Sequence, residues 1–117
     1  MKANELMIGD WVVKPSGYIR TIGRAEFSND DAWFEDTKPI PLTPEILEKN
    51  GFERRGGVSY HKSITGLIIL HWNDDLCFLN YSKKNIPPIM IPFHYVHELQ
   101  HALRFCGLHE LADNFKV

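Results

Sequence analysis

The sequence predicts an α+β fold: a bent antiparallel sheet at the N-terminus, a short helix, a three-stranded antiparallel meander and a closing C-terminal helix. Three observations carry that expectation. Residues 1–42 hold short apolar runs broken by glycine, proline and an Asn-Asp-Asp cluster, the pattern of hairpin strands. Three candidate strands follow at 58–62, 67–72 and 76–81, the last two apolar and separated by Asn73-Asp74-Asp75. Residues 92–106 then place Val96, Leu99, Leu103 and Cys106 on one stripe at helical spacing, with Phe93 and Tyr95 on its flanks. With 117 residues, the chain has the length of one domain, divided into a β-rich part, 1–42, and a remainder, 43–117.

Taken in order, residues 5–13 read as the first strand, with Leu6, Ile8 and Trp11 to Val13 around a bulge or tight bend at Gly9. Pro15-Ser16-Gly17 is turn chemistry, and 18–27 supplies a hairpin partner. Asn29-Asp30-Asp31 breaks the chain before a short apolar piece at Trp33-Phe34. The result is a small, strongly bent sheet of the kind an SH3-like fold uses. Residues 38–42 form a connector, because Pro39 and Pro41 donate no ladder hydrogen bonds.

Thr43, Pro44 and Glu45 start a two-turn helix: a capping hydroxyl, a proline at the first helical position and a carboxylate at the positive end of the dipole. Asn50-Gly51 stops it. In the meander, 67–70 is apolar at every position, which predicts a strand covered on both faces, while 58–62 reads as an edge. Residues 85–92 contain three prolines and must be extended, with 89–91 able to pair at a sheet edge. The closing helix is expected to begin at Pro92 and to end at Gly107. Beyond Leu108, a further turn and an extended return are equally compatible with the sequence.

Composition narrows the function classes. Hydrophobic residues make up 44% and charged residues 24% of a chain of net charge −2, which is ordinary for a globular protein and offers no broad attraction to a polyanion. Nucleic acid is therefore a disfavoured partner. Cys77 and Cys106, the only cysteines, read as small buried hydrophobes rather than a disulfide framework. The first ten residues lack an apolar leader, and the run 67–70 is too short to span a bilayer. A soluble cytoplasmic protein with no membrane partner and no cofactor is expected.

One explicit chemical motif stands in the chain. In H-E-x-x-H, two histidines four apart on one helix face bind Zn²⁺ and the glutamate activates a water; those roles would fall to His97, His101 and Glu98. His94 or His109 would have to complete the ligand set, at a spacing of no familiar kind; a metzincin would need glycine at 104 and histidine at 107, where the chain has Arg104 and Gly107. The helical wheel also sets His94, His97, Glu98, His101 and Phe105 opposite the apolar stripe. Solvated histidines, with ring nitrogens open to water and no catalytic or metal-binding role, are the expectation. A surface site of His94, His97 and His101 that captures metal adventitiously comes next.

The remaining motifs are weaker. Trp11, Trp33, Trp72, Tyr18 and Phe34 with Arg20, Arg24, Arg54 and Arg55 could stack on nucleic acid, but bulky rings in a small β-rich domain are expected to pack its core. Ser16, Ser28, Ser59, Ser63 and Ser82 lack a nucleophile-elbow context, and Gly56-Gly57 lacks the rest of a phosphate loop. The pairs Asp30-Asp31 and Asp74-Asp75 sit in turn contexts and give no acid/base pair.

E-L-M-I-G-D-W-V near the start, P-I-P-L-T-P-E-I-L-E-K-N-G-F in the middle and Y-V-H-E-L-Q-H-A-L near the end stand in the order and at about the spacing of landmarks in a family of small uncharacterised proteins from bacteria and their phages or mobile elements. The chain resembles that family over most of its length. The resemblance implies a cytoplasmic accessory protein of a mobile element, with no activity, cofactor or catalytic residue to carry across. The family's last landmark commonly reads V-H-x-L-Q-N, so His101 stands where asparagine does and falls outside the pattern, which weakens the zinc reading. The expected function is a non-enzymatic protein-interaction or accessory module, with a nucleic-acid-binding module and a zinc-dependent hydrolase as the alternatives.

Overall fold

A computed structural model describes residues 1, 5–24, 26, 32–73, 77–83 and 85–117. The expected turn at 29–31, Ser28, the pairs Asp30-Asp31 and Asp74-Asp75, and Leu76 at the start of the last expected strand lie outside the described residues. Within them the fold is α+β, with two antiparallel sheets and short helices.

The first sheet has the order β2-β1-β3, from β1 (Trp11–Val13), β2 (Ile19–Thr21) and β3 (Lys38–Pro39). Trp11, Val12 and Val13 face Thr21, Arg20 and Ile19, and the Lys14 and Gly17 amides close the expected hairpin onto the Tyr18 and Lys14 carbonyls at 2.9 and 2.8 Å. The connector at 38–42 contributes an edge strand of two residues, where a proline is tolerated because its missing N–H faces away from the ladder. Trp33-Phe34 belongs to a single helical turn, α1 (Ala32–Glu35). Gly9 makes the expected tight bend ahead of β1. Its φ is +93°, and a Cβ there would lie 2.9 Å from both Arg104 Nη2 and Asp113 Oδ1, so the position requires glycine twice over.

The helix α2 (Pro44–Lys49) is capped as expected, the Ile46 amide donating to Thr43 Oγ1 at 3.2 Å. The second sheet is a meander of four strands: β4 (Glu53–Arg55), β5 (Ser59–Ser63), β6 (Leu67–Trp72) and β7 (Cys77–Tyr81). The additional strand β4 exposes all three of its residues, so no apolar alternation announced it. In β6, Ile68 and Leu70 are fully buried whereas Leu67 and Ile69 are half-buried. The expectation of a strand covered on both faces is thus corrected: a single face meets the helix layer. Ile89 pairs with Leu79 at the β7 edge through two 2.9 Å backbone bonds, as the pattern at 89–91 suggested.

The closing helix α3 (Val96–Phe105) starts four residues later than Pro92. Tyr95 is extended and bridges Pro41, while the Leu42 and Val96 amides donate to the His94 and Ile40 carbonyls at 2.9 and 2.8 Å. These backbone bonds hold 92–95 as a strand-like segment, so the helix can begin only after it. Its stripe is the expected one: Val96, Leu99, Leu103 and Cys106 are buried in one cluster with Phe52, Tyr60, Ile68, Leu70 and Leu79. Gly107 ends it in the left-handed conformation, with the Leu108 amide returning to the Leu103 carbonyl at 2.9 Å. Of the options open in the sequence the tail takes the further turn, as a helix α4 (His109–Asp113), and the irregular residues that follow bury Phe115. No helix among the described residues is long and apolar enough to cross a membrane.

Candidate functional site

The flank of α3 that carries the H-E-x-x-H residues is only partly open to solvent, because the N-terminal segment around Asp10 packs against His97 and His101. Gly9 turns the chain so that Asp10, wholly buried, points at this flank. Asp10 Oδ2 lies 2.5 Å from His101 Nε2 and accepts the Met7 amide at 2.8 Å, and Asp10 Oδ1 accepts Arg104 Nη1 at 2.5 Å. Arg104 Nη2 continues to Asp113 Oδ1 at 3.3 Å. A carboxylate taken out of water needs such compensation on both oxygens. One helical position away, Gln100 is fully buried and fully used: its Oε1 accepts the Trp11 amide at 3.0 Å, and its Nε2 donates to the Gly9 and Ala112 carbonyls, each at 2.9 Å.

His97 sits between these groups. It is only 7% exposed, and its Nδ1 has no hydrogen-bond partner. The ring stacks nearly parallel on Tyr95, with centroids 5.9 Å apart, and meets His101 edge-on at 5.5 Å. Burial pushes the His97 imidazole below its ordinary value; the Asp10 carboxylate opposes that shift, His101 adds to it, and Glu98 and Glu5 oppose it. Glu98 itself folds back to the helix start, where its Oε1 accepts the His94 and Tyr95 amides at 3.0 and 2.9 Å. That is the acidic half of a capping box, a use of N3 glutamate that has nothing to do with metal. His94 is exposed, its ring against Tyr95.

The expectation that His97 and His101 turn their nitrogens to solvent is therefore corrected: His97 is buried, and His101 is about one quarter exposed and tied to Asp10. The helical spacing does bring the two rings together, but the group beside them is Asp10 rather than His94. Among the described residues, no three His, Cys, Asp or Glu side chains are grouped to hold a metal ion. The contributions of Asp10, Gln100 and Arg104 were missed. A glutamine between two buried leucine turns was the one available signal, since its polarity inside an apolar helix face demands partners from elsewhere in the chain.

Most of the aromatic and arginine side chains are occupied by the fold, while Tyr18 and Arg24 are exposed. Trp11 donates Nε1 to the Phe115 carbonyl at 2.5 Å, and Trp72 donates to the Phe93 carbonyl at 2.9 Å. Trp33 lies edge-on to Phe34, under the Lys14 ammonium at 4.2 Å. Arg20 pairs with Glu26, Arg54 donates to the Gly57 carbonyl and Arg55 pairs with Glu53. An open groove of about 620 Å³ lies elsewhere, between the β5–β6 turn and α4, with Ile64, Leu108 and Leu111 in its walls. Lys62, at its rim, already donates to the Asn50 carbonyl at 2.8 Å.

No family model, curated protein or solved structure matches the chain.

Proposed function

We propose that the protein is a non-enzymatic accessory module that acts by binding another protein, in the setting of a bacterial mobile element or phage. The observation that carries this reading is the use of Glu98 and His101 within the fold itself. Glu98 Oε1 accepts two backbone amides and His101 Nε2 is paired with Asp10, so these two groups serve capping and docking, and among the described residues no three His, Cys, Asp or Glu side chains are grouped to hold a metal ion. The large exposed apolar residues Met7, Ile8 and Phe105 offer a partner contact surface; Met7 Sδ lies 3.7 Å from Arg104, which adjoins Phe105 on α3. The bacterial or phage setting rests on the three landmark sequences.

Affinity purification of the intact chain from a bacterial host that encodes it, read by mass spectrometry with metal content measured on the same sample, tests the proposal. A stoichiometric protein partner that is lost with Phe105→Asp and Ile8→Asp, at unchanged thermal stability, is the expected result. One zinc per chain with peptidase activity that Glu98→Gln abolishes would replace the reading by the hydrolase. Micromolar DNA binding that falls steeply with added salt would replace it by the nucleic-acid module, against the net charge of −2.

A further inference from the structure

We infer that the N-terminal sheet is a lid latched onto α3 through Asp10, whose opening uncovers the polar flank of that helix. The first support is the division of the apolar residues. Leu6, Val12, Ile22 and Phe34 form a small cluster of their own, separate from the large cluster that unites α2, the meander, α3 and the tail. A segment with a private core can open at a lower free energy than the whole fold. Further bonds stay inside the segment: Lys14 Nζ reaches the Trp33 carbonyl at 2.6 Å and the Asp36 carboxylate at 2.5 Å.

The second support is the chemistry of the seam. Where the sheet meets α3, the bonds run from Asp10 to His101 and Arg104, and from Gln100 to Gly9 and Trp11. Trp11 and Val13 add an apolar contact with the large cluster, and Trp11 Nε1 donates to the Phe115 carbonyl in the tail. Apolar contacts tolerate small displacements, but a buried carboxylate held by two cationic or imidazole groups is either paired or severely penalised. Such a seam behaves as a latch. Its hinge is also defined, because the chain leaves β3 and is fixed at once by the backbone bonds joining Ile40 and Leu42 to Val96 and His94. Opening would present His97, Gln100, His101 and Arg104 to solvent.

Native-state hydrogen exchange on the full chain tests this without relying on a partner. In the wild type, amides of β1 and β2 should exchange about tenfold or more faster than those of β5 to β7, through an opening that leaves the meander protected. Asp10→Asn should accelerate β1 and β2 by a further factor of about ten, the scale of one charge-assisted hydrogen bond, with β5 to β7 unchanged. Should that variant not fold, the wild-type hierarchy decides alone, supplemented by the milder His101→Asn, for which the same selective acceleration is expected. Exchange of both sheets at one common rate in the wild type, or equal acceleration of both in a folded variant, would overturn the lid.

Discussion

A glutamate between two histidines acts as a base only when its carboxylate can reach a water, and in this chain one of the two Glu98 carboxylate oxygens is bonded to the helix start. Glu98→Ala should therefore cost about 0.5–2 kcal/mol, the range for losing a helix cap, while Glu98→Gln, which keeps an acceptor oxygen, should lose less than half as much. Urea midpoints of the two variants would check this; equal losses would mean that charge, not capping, is what position 98 supplies. His97 gives a second residue-scale outcome. Its folded-state value lies below the ordinary imidazole value of 6.5 because of burial, so the unfolded chain binds more protons in the interval between the two values. Stability is thus fully present above about pH 6.5 and declines as pH falls toward the folded value. The groups facing it, Asp10, Glu98, Glu5 and His101, set how far that interval extends. Replacement by phenylalanine, which cannot protonate, should flatten the urea midpoint between about pH 5 and 7.5 relative to the wild type. An unchanged slope would assign the pH dependence to other groups. The setting of the histidines was not legible from local pattern: the partner of His101 is 91 positions away in the chain, and helical periodicity says which side a histidine occupies but not what covers that side.

At the scale of elements, the apolar stripe of α3 and the cap of α2 were written in the sequence, because periodicity and capping residues act within a few positions. The start of α3 was not. Pro92 suits a first helical turn, yet backbone pairing of 92–95 with residues 40–42 outweighs that local preference. Strand β4 escaped notice for a related reason: three exposed charged residues carry no alternation, and only the neighbouring strand makes them extended. Gln100 shows how one helix serves two faces. Its amide bonds join β1, α3 and the end of α4, and Gln100→Leu keeps the volume while leaving the Trp11 amide and the Gly9 and Ala112 carbonyls without that partner. At about 1–3 kcal/mol for each unsatisfied buried group, the variant should lose about 2 kcal/mol or more. Chemical denaturation checks it, and a variant as stable as its parent would mean that the seam satisfies those groups another way.

The whole molecule is closed by its last residues, where the sequence left turn and extended return undecided because Leu111 and Phe115 fit either. Phe115 is buried in the large cluster, and its carbonyl accepts the Trp11 indole N–H at 2.5 Å, tying the tail to the first strand. Asn50 grips the next residue from α2, its Nδ2 donating to the Lys116 carbonyl at 2.7 Å and its Oδ1 accepting the Lys116 amide at 2.8 Å. Three regions far apart in sequence thus converge on residues 115 and 116, one through a side chain and the others through backbone. The two kinds of contact make opposite demands on substitution. Phe115→Ala removes a ring from the core and should cost about 3–5 kcal/mol. Lys116→Ala leaves both backbone bonds to Asn50 in place and, as a change at an exposed side chain, should stay within about 0.5 kcal/mol of the wild type. Asn50→Ala, which removes both bonds at once, should fall between them. Urea denaturation of the three variants distinguishes a tail held by its ring from one held by its backbone; a Phe115→Ala loss below about 1 kcal/mol, outside the range for truncating a core aromatic, would show that the tail only rests on the fold.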